Sequence, residues 1–369
     1  MTEYRGISPI PGPEAFQERS RDARLSQAAI VLAAGAAVGG HWERVGEPES
    51  LGLSAGLGQI SRTQPIPLEA AVAPLRVDLA SYRARPQLRM PASMSVELTT
   101  RLIDQPEAVT AAALIEANLH SESRLVRTSA AVAALDTTGP REDVLAALVE
   151  GAAARDRLTS DIARIGLARV NPQHERLTHV VGRPARMSGS DVPSHTAVLT
   201  HGTFAARTQW WRPSGHFYSY LETLAPPLHL HDPSFQWSGV YSDAGRQLAA
   251  QQMADWVVDQ GLQRPDIFAH SHGATVANLA SHRGMDVDRL VALSWPVHAE
   301  WFPDFARVRR VIDIRVHLDL VIIADRGGQT FNPPPAHQGK VTSYVNGWFD
   351  HGATHDPAYW QRYGLPAVL

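Results

Sequence analysis

The chain has 369 residues, with 34 Lys and Arg against 37 Asp and Glu, a net charge of −3 and no cysteine. That balance gives no basic footprint for nucleic acid, and the missing thiols exclude disulfides, thiolate nucleophiles and cysteine-ligated zinc. A hydrophobic fraction of 44% beside 19% charged residues describes a globular chain with room for two or three domains.

Residues 1–92 carry little regular signal. Pro9, Pro11 and Pro13 interrupt the start, 46–67 is rich in Gly, Ser and Pro, and Arg83, Arg85 and Arg89 read as a solvated face. The exception is a helix expected over 26–38, whose apolar run 28–38 follows Arg19, Arg21 and Arg24. A spanning helix needs about 20 apolar residues, so no membrane span is expected. The run has the length of a signal-peptide core, but Glu14, Glu18 and Asp22 lie in its flank. A buried helix and a cytoplasmic location are therefore expected, with export as the alternative.

From 93 to 172 the chain turns to Ala, Leu and Arg at helical spacing, and an α-helical module is expected. Leu114, Ile115, Asn118 and Leu119 share one face, as do Leu125, Val132 and Leu135. Arg124-Leu125 and Arg157-Leu158 open similar stretches 33 residues apart, a period of helix-pair arrays. The two copies resemble HEAT-like repeats, which would serve as scaffold or as a protein-partner surface. Pro172 and Pro184 then mark a linker.

Beyond it, over 185–369, strands and helices alternate. Strands are expected at 196–200, 266–269, 290–293, 308–316 and 341–348, with helices at 246–258, 274–280 and 357–363. Such alternation predicts an α/β fold with a mostly parallel sheet covered by helices on both faces.

The chemistry centres on A-H-S-H-G at 269–273, between an expected strand and an expected helix. A serine at a strand–turn–helix, with a small residue two places before and after, is the nucleophile-elbow pattern. Ala269 stands where the first glycine of that pattern usually is. Serine needs a base, and the base needs a third group to hold its tautomer. Ser271, Asp319 and then His351 or His355 follow in the order such sheets use. Asp325 is the weaker alternative acid; Asp313 lies within a strand and Asp304 before it. His351 is favoured because it falls in the loop F-D-H-G-A-T, whereas His355 directly precedes the start of a helix.

His201-Gly202-Thr203 ends a strand, so the backbone N–H groups of Thr203 and His272 are the expected oxyanion donors. Trp210, Trp211 and Phe217, with Tyr218 and Tyr220, form either an acyl or aryl pocket or the packing of a long loop. Trp237 reads as core. His270, His272, His229 and His231 leave a histidine-ligated metal hydrolase as the alternative chemistry.

Five stretches, V-L-T-H-G-T-F, F-Q-W-S-G-V-Y, I-F-A-H-S-H-G-A, H-L-D-L-V and H-G-A-T-H-D-P-A-Y-W, run in this order from 194 to the C-terminus. This half of the chain resembles the α/β-hydrolase superfamily of serine esterases and lipases. The resemblance implies an acyl-serine mechanism on Ser271, water as acceptor, no metal or other cofactor, and an ester or lipid substrate. About 175 residues leave little room for an inserted lid. A catalytically silent hydrolase fold used as a binding module is the competing reading.

Overall fold

The computed structural model describes residues 21–42, 92–177, 196–224 and 228–369. The expectations for 1–20, 46–67, 83–89 and most of the linker lie outside them. The chain divides into two compact units, Met1–Arg176 with Leu320–Gln329, and Leu177–Asp319 with Thr330–Leu369.

The first unit is helical: α1 Arg21–Val38, α2 Ala92–Asp104, α3 Ala108–Asn118, α4 Arg124–Thr137, α5 Glu142–Ala152 and α6 Arg157–Val170. In α1, Ala28, Ile30, Val31 and Leu32 are at most 3% exposed, as a buried helix requires. Among the described residues no helix is long and apolar enough to cross a membrane. The 33-residue spacing has a structural counterpart. Helices α3 and α5 both have 11 residues, α4 and α6 both have 14, and the latter two begin at Arg124 and Arg157. Both longer helices start on a side-chain cap, Ser123 accepting from the Val126 N–H and Asp156 from the Thr159 N–H, each cap worth about 1 kcal/mol. Several polar groups in the interior are paired: Arg141 donates twice to Glu116, at 2.6 and 3.0 Å, and Gln27 and Ser95 both donate to Asn118.

One segment from late in the chain completes this unit. Leu320–Asp325 forms a short helix (α10, numbered in chain order) that packs on α1, α4 and α6. Leu320 to Ala324 are all buried, and Arg326 pairs with Asp136, which Arg169 also reaches at 2.7 Å. The sequence places 320–329 within the expected α/β region 185–369; by packing it belongs with the helices, because five consecutive apolar residues are covered there.

The second unit is α/β. Its strands are β1 Thr196–Thr200, β2 His229–Leu230, β3 Asp266–His270, β4 Val287–Leu293, β5 Val308–His317 and β6 Val341–Trp348. Its helices are α7 His216–Glu222, α8 Asp243–Asp259, α9 His272–Ser281 and α11 Pro357–Arg362. All neighbouring strands are parallel, in the order β2-β1-β3-β4-β5-β6. Alternate strand residues feed two cores, since successive side chains point to opposite faces. Val198, Ile267, Ala269 and Leu290 pack with Ala249, Met253, Trp256 and Ala277 of α8 and α9. Leu199, Phe268, Val291 and Ile312 pack with Phe217 of α7 and Trp360 of α11. The order reverses between β1 and β3, and in open α/β sheets ligands bind outside the carboxyl ends of the strands at such a switch point.

Candidate active site

The loop after β1 and the turn after β3 meet at that switch point. Strand β3 ends at His270, Ser271 follows with φ 54° and ψ −133°, and α9 begins at His272. A non-glycine residue held there stores about 1–3 kcal/mol of strain, and its surroundings keep it in place. The Ser271 N–H bonds the Leu293 carbonyl at the end of β4, at 2.8 Å, and the Ser271 carbonyl accepts from Ala274 at 2.9 Å.

The two flanking loops interlock through glycine. A Cβ on Gly202 would stand 2.7 Å from the Ser271 Cβ, and one on Gly273 would stand 2.6 Å from the His201 carbonyl oxygen. Close approach between the two turns therefore explains both glycines, and Ala269 is fully buried between β1 and β4.

Asp319 and His351 are brought together. The His351 Nδ1–H donates to Asp319 Oδ2 at 2.7 Å, with Asp319 0% and His351 7% exposed. A carboxylate acceptor at Nδ1 leaves the Nε2 lone pair to take a proton. His355 goes elsewhere. Its ring stacks flat on Trp210, with centroids 4.2 Å apart and 5° between planes, and meets the edge of His270 at 4.8 Å. Asp325 lies in α10 within the helical unit. Asp313 is taken by Arg315, two bonds at 2.7 and 2.8 Å between side chains at most 1% exposed.

His272 directly follows Ser271, and Gly202, next to Thr203, lies against the Ser271 side chain. The Phe204 N–H bonds Gly239 at 2.9 Å and the Ala205 N–H bonds Gly202 at 3.3 Å, while no backbone carbonyl among the described residues takes the Thr203 N–H. His272 opens the ten-residue helix α9, whose N-terminal N–H groups favour a developing negative charge. His201 fixes the root of this loop. Its Nδ1–H donates to the Gly202 carbonyl at 2.8 Å, and Trp237 donates through its indole N–H to the His201 carbonyl at 2.7 Å. Burial pushes the His201 imidazole down to about 4, with Arg212 adding to the effect against bonds to Gly202 and Trp237. It is therefore neutral at pH 7, and Trp237 is core, as expected.

The pocket reading of Trp210, Trp211 and Phe217 gives way to the packing one. They are 2%, 1% and 0% exposed and belong to the core beneath α7 and α11. Trp211 spends its indole N–H on the Ala205 carbonyl at 3.2 Å. The rings beside the Ser271 turn are others: Tyr241, His298 and Trp301 surround His272 at centroid distances of 5.9–6.1 Å, and Phe204 stacks on Tyr241. All four are partly exposed. They come from three separate loops, and no local spacing in the sequence ties them together. Of the H-x-H pair, His229 lies in the edge strand β2 and His231 follows it, bonded to Gln260 at 3.0 Å. Among the described residues no group of three or more His, Asp or Glu could hold a metal ion.

Strain marks the same edge of the sheet. Phe204, Ser271, Ser294, Leu318 and Phe349 all have positive φ, and they follow β1, β3, β4, β5 and β6 respectively. Ser294, to which no motif in the sequence points, accepts from the Thr354 hydroxyl at 3.2 Å and so ties the loop after β6 to the end of β4. Comparison with known families, with curated proteins and with solved structures finds no match to this chain.

Proposed function

We propose that the second unit is a serine hydrolase of the α/β-hydrolase type that cleaves carboxylic esters through an acyl-enzyme on Ser271. The observation that carries the reading is the buried 2.7 Å bond between His351 and Asp319, on loops at the same sheet edge as a strained serine elbow. An imidazole oriented by a carboxylate beside such a serine is the arrangement that makes a hydroxyl nucleophilic.

In the proposed reaction Ser271 Oγ attacks the ester carbonyl carbon while its proton passes to His351 Nε2. Asp319 stabilises the resulting imidazolium. The carbonyl oxygen becomes an oxyanion facing the N–H groups of Thr203 and His272, each such donor being worth about 3–4 kcal/mol. Collapse breaks the bond to the alcohol, which leaves with the proton from His351. Water then repeats the sequence and releases the acid. Phe204, Tyr241, His298 and Trp301 are the side chains we assign to contact the substrate. No step calls on a metal.

The competing reading, a silent fold used for binding, draws on one observation: Ser271 and His351 are each only 7% exposed. Turnover of short-chain aryl esters separates the two. The hydrolase reading expects saturable turnover that survives chelator and is lost in Ser271→Ala. No turnover by the wild-type protein, or equal turnover by Ser271→Ala, would support the silent reading instead.

A further inference from the structure

The H-S-H-G turn contains an imidazole that the acyl-transfer steps leave unused. His270 ends β3, directly before Ser271, and its side chain points to the opposite face of the sheet from Ala269. Its Nε2 lies 3.0 Å from the main-chain carbonyl oxygen of His351. A carbonyl can only accept, so Nε2 carries the proton and donates. The two rings also meet edge to face at 4.6 Å. Behind His270, the stacked pair Trp210 and His355 presses on its ring at 5.6 and 4.8 Å, which holds the imidazole in one orientation.

We propose that His270 is a positioning residue that fixes the main chain of the base loop to the nucleophile's own strand. This deepens the serine-hydrolase reading and rests on it. The two ends of the contact differ in rigidity. Strand β3 is central, bonded to β1 and β4. His351 sits in a turn after β6, closed locally by the Gly352 N–H on Asp350 Oδ1 at 3.0 Å. Asp319 orients the His351 ring through Nδ1, and the bond from His270 anchors the main chain from which that ring hangs. Misplacing a catalytic group by about 1 Å costs on the order of 10²-fold in rate, so the second anchor matters to chemistry more than to folding.

The test counts competent sites and measures rate per site. Titration with a fluorophosphonate gives the fraction of protein with a working nucleophile, and aryl-ester kinetics then give kcat per titrated site. In His270→Gln the amide nitrogen reaches the place of Nε2, and kcat per site should stay within about threefold of wild type. His270→Asn is too short to reach, and His270→Leu has no donor; both should lose about 10–100-fold in kcat per site with KM within about threefold. Should the Leu variant not fold, the Gln and Asn pair decides alone.

Unchanged kcat per site in Asn and Leu, with only the titratable fraction or thermal stability falling, would mean a structural role and overturn the inference. So would equal rates in Gln and Asn. Those outcomes leave the hydrolase reading standing, whereas a wild-type protein that the probe does not titrate removes both.

Discussion

The two units of this chain are built in opposite ways. The helical unit repeats itself, with an 11-residue and a 14-residue helix used twice, alanine-rich interiors and a side-chain N-cap on each longer helix. Seven non-glycine residues among those described have positive φ; only Arg326 belongs to the helical unit, and the other six belong to the sheet unit. Five of those six follow the carboxyl ends of strands. Backbone strain needs surroundings that over-determine it, and a parallel sheet with helices on both faces supplies them. Among the described residues, most of this strain lies beside the residues proposed to do chemistry.

If that contrast is functional, substitutions in the two units should fail differently. The largest effect is expected from Asp319→Asn, which keeps shape but offers His351 the wrong hydrogen-bond partner, and kcat should fall by about 10⁴-fold. Asp325→Asn, six residues on but in the helical unit, should leave kcat per titrated site within about threefold. Equal losses in the two would erase the distinction. Next comes Gly202→Ala, whose Cβ would meet Ser271 at 2.7 Å. Displacing the oxyanion loop should cost at least about 10²-fold in kcat, measured against titrated sites.

A cut of similar size in the helical unit should affect folding alone. Leu114 is 0% exposed, so Leu114→Ala should lower stability by about 2–5 kcal/mol in denaturant titrations while kcat per titrated site holds. The sheet unit should also respond to acid through His201. Its folded pKa of about 4 lies below the ordinary value near 6.5, so the unfolded chain binds a proton first as pH falls. Stability from this group is complete above about pH 6.5 and is lost down to about pH 4, on the order of 3 kcal/mol at full extent. Replacing His201 with Asn, which retains a donor for the Gly202 carbonyl, should flatten that part of the pH–stability curve. The smallest effect is expected at the exposed pair Arg124–Glu150, where Arg124→Ala should cost about 0.5 kcal/mol or less.

Much of this was legible in the sequence, for identifiable reasons. Strands at 196–200 and 341–348 and the elbow at 266–281 announce themselves through local chemistry: short apolar runs, Gly and Ala at close approaches, Pro357 at a helix start. The His351–Asp319 pairing followed from chain order and from the loop around His351. Other features depend on contacts distant in sequence. Residues 320–325 carry the apolar run of a helix, yet nothing local says that it packs on α1, α4 and α6. His270 reads as a flank of the serine until its bond to His351, 81 residues away, is seen. Trp210, Trp211 and Phe217 follow the loop after β1, but they pack in a core that includes Trp360 of α11, more than 130 residues on.

The proposed hydrolase chemistry requires Ser271 to be an activated nucleophile. Its most direct test is to expose the folded wild-type protein and Ser271→Ala to a fluorophosphonate and locate the adduct by mass spectrometry of the digested chain. The account predicts one adduct, on the peptide containing Ser271, in the wild type and none in the variant. An unmodified wild-type protein, or an adduct that persists in Ser271→Ala, would contradict it.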